Sequence, residues 1–253
     1  MTKIDERIRD KVVFLSGATG GLGRDMAVRL AEEGAHLVLT DLDESLCRAL
    51  ADELDGGGHL TARLDVADEA QWLEVAALIR REHGRLDALV NNAGIGSLAT
   101  VEEETVEHWD AVMSVDATGV WLGMKHLGPL IADSGGGSIV NLSSILGTVG
   151  GLGNSAAYAA AKGAVRTLTK NAALHWATSG VRVNSLHPGF IGTAQLLERY
   201  EGTPRHEAML ANTPVGRLGT GEEIAAVVAF LVSDDSTFMT GSEVYADGGY
   251  TAR

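Results

Sequence analysis

The chain is short of several things. It has one cysteine, Cys47, in 253 residues. No intrachain disulfide can form, and this usage suits a reducing compartment. Proline is scarce, with four residues, so helices can run long without interruption. Basic residues are outnumbered: 20 Lys and Arg stand against 34 Asp and Glu, a formal net charge of −14. Binding nucleic acid or an anionic membrane surface needs a basic footprint, so neither partner is expected. No stretch free of charge approaches the length of a membrane-spanning helix. Residues 1–7 precede no apolar segment that could serve as a signal peptide, and the expected location is the cytoplasm. The eight histidines show no metal-ligand spacing, so no metal site is expected. The four tryptophans, Trp72, Trp109, Trp121 and Trp176, fall in helical patterns and read as packing residues. Glycine and apolar residues are plentiful instead, at 32 residues and 45%. That composition suits a buried core with many tight turns, in one domain spanning residues 1–253.

Short apolar runs at 12–15, 37–39, 60–64, 86–90, 138–142, 181–186 and 243–245 alternate with helical patterns at 22–33, 44–54, 69–83, 106–131, 156–178 and 222–232. Strands that alternate with helices of this length predict a doubly wound parallel α/β sheet of about seven strands, with helices on both faces. The strands are nearly all apolar, as burial on both faces requires. The glycine runs at 56–58 and 135–137 are too short for linkers and read as turns entering strands. Only 192–219 interrupts the rhythm; its apolar residues among polar ones read as a substrate lid.

The first strand runs into Ser16-Gly17-Ala18-Thr19-Gly20-Gly21-Leu22-Gly23, and a helix follows. Glycines at such a junction let backbone amides approach phosphate oxygens, and the helix N-terminus favours the anion. With a strand before and a helix after, Gly17, Gly21, Leu22 and Gly23 form a dinucleotide cradle. The second strand ends at Asp41, about twenty residues further on, where a carboxylate can bond an adenosine ribose and repel a 2′-phosphate. No Lys or Arg stands at Ala18, Thr19 or Gly20 to neutralise such a phosphate. NAD is therefore preferred over NADP, with Leu42 beside Asp41. The plainer alternative is that Asp41 merely caps the next helix. Asp65 and Val66 are expected at the adenine, and Asn92, Ala93 and Gly94 beside the cofactor. Further on, Tyr158-Ala159-Ala160-Ala161-Lys162 sets a phenol and an ammonium one helical turn apart. A phenol, with an ordinary pKa of about 10, is a poor base at neutral pH, and a neighbouring ammonium stabilises its ionised form.

Together, Ser16-Gly-x-x-x-Gly-x-Gly, Asn91-Asn-Ala-Gly, Ser144, Tyr158-x-x-x-Lys162 and Pro188-Gly189-x-Ile191-x-Thr193 resemble the short-chain dehydrogenase/reductase family in order and spacing. The resemblance runs from about Lys11 to Asp247-Gly248-Gly249. It implies a Rossmann-type fold and hydride transfer between a secondary alcohol and its ketone. It implies that Tyr158 is the acid/base, that Lys162 also holds the nicotinamide ribose, and that Pro188, Gly189, Ile191 and Thr193 contact the cofactor. Within Ser143-Ser144-Ile145-Leu146-Gly147 the family's active serine is the second, Ser144, which hydrogen-bonds the substrate oxygen. A homotetramer built on the two long helices is also implied. One position departs from the pattern. In Val115-Asp116-Ala117-Thr118-Gly119, Asp116 replaces an asparagine whose implied role is to shape a helix irregularity that holds a water on the lysine. Aspartate keeps an oxygen of the same reach but loses the amide donor. An active enzyme with an altered pH profile is the expectation.

Ile145, Leu146 and Leu152 after the serine, with Leu196, Leu197 and Met209 in the lid, predict a pocket for a hydrophobic aryl, cyclic or steroid-like secondary alcohol or ketone. A 3-oxoacyl-(acyl carrier protein) reductase is the main rival. It is opposed by Asp41 and by the absence of Lys or Arg in 128–138, where an acidic carrier would need a basic dock. An NAD-binding sensor or scaffold with decayed catalysis is the third reading, supported only by Asp116.

Overall fold

In a computed structural model of the chain, residues 7–96 and 98–252 are described. Their sheet is built on strict alternation: side chains along a strand point to opposite faces. In β1 (Val12–Ser16), Val13 and Leu15 enter one core, while Val12 and Phe14 enter the other. The same division holds in β2 (His36–Asp41), where Leu37 and Leu39 oppose Val38, and in β4 (Ala88–Asn91), where Ala88 and Val90 oppose Leu89. With β3 (Leu60–Arg63), β5 (Gly137–Leu142), β6 (Val181–Pro188) and β7 (Glu243–Ala246), the order is β3-β2-β1-β4-β5-β6-β7, and every pairing is parallel. The expected seven-stranded, doubly wound sheet is therefore present. Its edges are less apolar than the sequence pattern implies, because β3 and β7 are only partly buried.

Helices α1 (Gly21–Glu32), α2 (Glu44–Glu53) and α9 (Gly221–Val232) cover one face. Helices α3 (Glu69–Glu82), α5 (Gly119–Asp133) and α6 (Ala156–Trp176) cover the other. The chain winds outward from β1 to β3 and then returns to place β4 on the other side of β1. A crevice opens where the winding reverses, beyond the carboxyl ends of β1 and β4, and there such folds bind ligands.

Several local expectations need correction. The helical pattern at 106–131 is not one helix. Helix α4 (Val106–Met113) passes into a π-helical segment, Ser114–Thr118, before α5 begins. The wider turn carries Asp116 fully inward. The stretch 192–219 is not irregular: it holds α7 (Ala194–Tyr200) and α8 (Pro204–Asn212). Thr193 and Thr203 cap them, and Pro204 opens the second. A bridge between Ile191 and Gly219 closes the base of this insertion. Among the tryptophans, Trp72 is buried and donates to the Val66 carbonyl, and the Trp176 ring lies where a Cβ on Gly128 would be. Trp109 and Trp121 are exposed, at 39% and 45%. They fall on the outward side of their helices, which a polar–apolar pattern cannot distinguish from a wide buried stripe. Among the described residues, no helix is long and apolar enough to cross a membrane.

Candidate active site

At the carboxyl end of β1 the backbone turns sharply. Gly17 has φ +63°, and a Cβ there would lie 2.8 Å from the Ala93 Cα. Gly23 lies inside α1, where a Cβ would come 2.0 Å from the Gly17 carbonyl oxygen. A side chain at either position would push the turn apart. The Asn92 amide holds it closed by donating to the Ser16 and Gly17 carbonyls, at 3.0 Å each. The Ser16 hydroxyl accepts from the Asn92 and Ala93 backbone amides. Asn92 thus braces the glycine turn, a role its strand-end position did not reveal.

The start of α1 differs from those of six other helices. The N-caps of α2, α3, α4, α7, α8 and α9 each use a side chain to accept a first-turn amide. The N-cap of α1 is Gly20, which has no side chain, and no acid lies in its first turn. Among the described residues no side chain caps its first amides, which leaves them suited to an anion.

Asp41 ends β2 and does not cap α2; Asp43 does. The Asp41 Oδ2 accepts from both the Thr19 amide (3.0 Å) and the Thr19 hydroxyl (2.6 Å), and Oδ1 accepts from the Leu42 amide (2.8 Å). Oδ2 is therefore saturated, whereas Oδ1 keeps one lone pair. The part of Thr19 was not visible in the sequence, because the two residues meet only through strand pairing.

On the other side of the crevice, α6 brings Tyr158 and Lys162 inward. The Lys162 Nζ lies 3.0 Å from the Leu142 carbonyl, 3.1 Å from the Asp116 Oδ2 and 5.4 Å from the centre of the Tyr158 ring. Asp116 is anchored in turn by the Ile95 amide, which donates to Oδ1 at 2.8 Å. Burial works against the ammonium, but the Asp116 carboxylate and Tyr158 outweigh it and hold the lysine pKa above its usual value. An ammonium has three N–H donors, and two face Leu142 and Asp116. The third remains for the crevice. Ser144 sits at the end of β5, and its Oγ accepts from the Leu146 amide at 3.1 Å. Its hydroxyl proton is thus free to be donated.

One cleft of about 570 Å³ joins these groups. It is lined by Ser144, Tyr158, Lys162 and Asp116, and by each residue expected to hold the cofactor, from Gly17 to Thr193. The hydrophobic residues expected around a substrate fare differently. Leu196 lines the cleft, but Ile145, Leu146, Leu152, Leu197 and Met209 do not. Ile145 and Met209 point into packed surroundings, at 1% and 2% exposure. Periodicity marks a residue as apolar without saying whether its neighbours leave space. Ile95 and Val115 supply apolar lining instead.

A family model described as enoyl-(acyl carrier protein) reductase matches residues 17–251. A cyclopentanol dehydrogenase of Comamonas testosteroni is 41% identical over 97% of this chain and 99% of its own. The chain belongs to the short-chain dehydrogenase/reductase family. A trans-4-hydroxycyclohexanecarboxylate dehydrogenase of Sinomonas cyclohexanicum is 40% identical, over 100% of this chain and 97% of that one. A crystal structure of a short-chain type dehydrogenase/reductase from Mycobacterium marinum superposes with a TM-score of 0.92. It is 31% identical and covers 99% of this chain and 98% of that one. As a short-chain dehydrogenase/reductase the protein is an alcohol–ketone oxidoreductase that uses a nicotinamide dinucleotide. The residues present fit that group: the side-chain-free turn at Gly17 and Gly23, the uncapped start of α1 and the Asp41 carboxylate all border one cleft.

Proposed function

We propose that the enzyme interconverts a cyclic secondary alcohol and its ketone, prefers NAD to NADP, and uses Tyr158 as its acid/base. The observation that carries this reading is the meeting of Ser144, Tyr158 and Lys162 with the glycine turn in a single cleft. The ring-alcohol dehydrogenases among its relatives support the substrate class. The apolar groups Leu196, Ile95 and Val115 support a hydrophobic ring over a polar one.

The chemistry supplied by the bound nicotinamide is hydride exchange at the carbinol carbon. The protein handles the proton. In ketone reduction, Tyr158 gives its hydroxyl proton to the carbonyl oxygen, and in alcohol oxidation it takes that proton back. Lys162 stabilises the phenolate left behind. Ser144 donates a hydrogen bond from its free hydroxyl to the same oxygen, keeps its proton, and orients that oxygen. Gly17, Gly21, Leu22 and Gly23 hold the pyrophosphate, and Asp41 takes a ribose hydroxyl through Oδ1. Asp65 and Val66 enclose the adenine, Asn92, Ala93 and Gly94 lie beside the cofactor, and Pro188, Gly189, Ile191 and Thr193 contact it from the far side. Helices α7 and α8, within 192–219, act as the lid.

Asp116 makes this site unlike the asparagine pattern. A direct carboxylate–ammonium contact keeps Lys162 charged to higher pH than an amide would. The enzyme is active, and its alkaline limit is set by this pair. We also assign a homotetramer to the faces of α4, α5 and α6. Exposed Val106 and Trp109 on α4 and Trp121 on α5 support it, and light scattering of the purified protein tests it.

Oxidation of NADH and NADPH with cyclopentanone, cyclohexanone and acetoacetyl thioesters tests the whole reading. Cyclic ketones with NADH are expected to be fastest. Faster acetoacetyl thioester turnover with NADPH would replace this reading with the carrier-protein reductase. Tight NADH binding with no turnover of any ketone or alcohol would replace it with the sensor.

A further inference from the structure

We propose that His187 is a positioning residue for Ser144, and that Tyr245 and Glu243 brace it against the helix that carries Tyr158. The inference rests on the reading of Ser144 given above.

His187 lies in β6 and is fully buried. Its Nδ1 is 3.0 Å from the carbonyl oxygen of Ser144. A carbonyl only accepts, so Nδ1 carries the hydrogen. Nε2 is then an acceptor, and the Ser185 hydroxyl donates to it at 2.8 Å. Both ring nitrogens are satisfied in one neutral tautomer. Burial pushes the His187 pKa below its usual value, which suits that form. The Gly147 amide donates to the same Ser144 carbonyl at 3.0 Å, and the two contacts together fix the peptide plane after the serine and with it the direction from which its hydroxyl enters the cleft.

The ring is itself held. It stacks on Tyr245 of β7, with centres 4.7 Å apart and planes 30° from parallel. The Tyr245 hydroxyl donates to the Glu243 Oε2 at 2.7 Å and lies 2.9 Å from the Thr148 Oγ1. The turn that follows the serine is therefore held at both ends, Ser144 by its carbonyl and Thr148 by its hydroxyl. Glu243 is pinned by Arg166, at 2.8 Å, and by Lys170. Both cations belong to α6, and Arg166 stands one turn beyond Lys162. The strut thus runs from the serine turn through β6 and β7 to the helix of the acid/base. It fixes the proton donor, Tyr158, and the hydrogen-bond donor, Ser144, relative to each other, which a reaction sensitive to placement requires.

The test compares Ser144→Ala, His187→Leu, His187→Asn and Tyr245→Phe in the full chain. NADH formation is followed with cyclohexanol and with cyclohexanol deuterated at the carbinol carbon. His187→Leu leaves the Ser144 carbonyl to the Gly147 amide alone; it should lower kcat about threefold to tenfold and enlarge the isotope effect, with NADH affinity within about twofold of the parent. An asparagine amide can donate to the same carbonyl, so His187→Asn should recover most of the loss. Tyr245→Phe keeps the ring and loses the hydroxyl contacts; it should lower kcat about threefold, again with a larger isotope effect. This variant decides the matter if His187→Leu does not fold. Parental kcat and isotope effect in His187→Leu and Tyr245→Phe, beside a crippled Ser144→Ala, would overturn the strut and leave the serine assignment intact. Parental turnover in Ser144→Ala would remove the serine assignment and the strut with it.

Discussion

The β1–β2 side of the cleft offers its ligand mostly backbone, whereas the β5–β7 side offers charged and hydroxylated side chains. At the first, Gly17 and Gly23 clear the way, Gly20 leaves the first amides of α1 uncapped, and Asn92 braces the turn from behind. At the second, Lys162 and Asp116 are buried as a pair, and Ser144 is backed by a buried histidine. Each side therefore fails in its own way. A backbone cradle is vulnerable to added volume and insensitive to pH. A buried charge cluster responds as well to any change in its proton inventory.

The largest effect should come from the second side. Tyr158→Phe removes the only proton that the phenol can exchange, and turnover should fall by at least about a thousandfold. NADH binding, followed by fluorescence, should be largely kept; comparable turnover would defeat the acid/base assignment. On the cradle side, Gly23→Ala drives a Cβ into the Gly17 carbonyl. NADH affinity should fall about tenfold or more, with a stability loss of about 1–3 kcal/mol by thermal unfolding. An affinity equal to the parent's would show that the turn does not carry the pyrophosphate.

Asp41→Ala tests the carboxylate that ends β2 beside the glycine turn. The preference for NADH over NADPH should shrink about tenfold, measured as the ratio of kcat/KM values. An unchanged ratio would move cofactor choice elsewhere. Asp116→Asn probes the charge cluster by proton count alone. The carboxylate holds the lysine pKa up, so its loss lets Lys162 deprotonate earlier. The alkaline limb of the pH–rate profile should move to lower pH, and identical profiles would break the argument. The smallest effect belongs to neither side: buried Cys47, its thiol pushed up to about 12 by burial and then by Asp41, should react with a thiol reagent only on unfolding. Rapid labelling of the folded enzyme would contradict that packing.

Much of the fold could be read in advance because alternation is a short-range property. Residues two apart share a strand face and residues three or four apart share a helix face, so the seven strands and the Tyr158–Lys162 pair were legible without a third dimension. The π segment at Ser114–Thr118 was legible only through the family resemblance, which implied a helix irregularity at Asp116; the pattern itself hides it, because one extra residue in a turn leaves the apolar periodicity almost unchanged. Helices α7 and α8 escaped notice because α7 is only seven residues long and too brief to establish a period, although its threonine cap was a usable signal. The substrate pocket was over-read for the opposite reason. Met209 and Ile145 are apolar and near in sequence to the site, yet packing consumes them.

By itself the sequence determined a doubly wound sheet, a glycine turn between the first strand and helix, and a phenol one turn from an ammonium. Those depend on contiguous residues and on the backbone's own periods. Only the tertiary structure decided that Thr19 occupies half of Asp41, that Asp116 meets Lys162 directly, and that Tyr245 reaches Thr148 across 97 positions. Such contacts join strands and helices far apart in the chain, and a linear pattern carries no record of which buried polar groups will meet once the two faces of the sheet have closed.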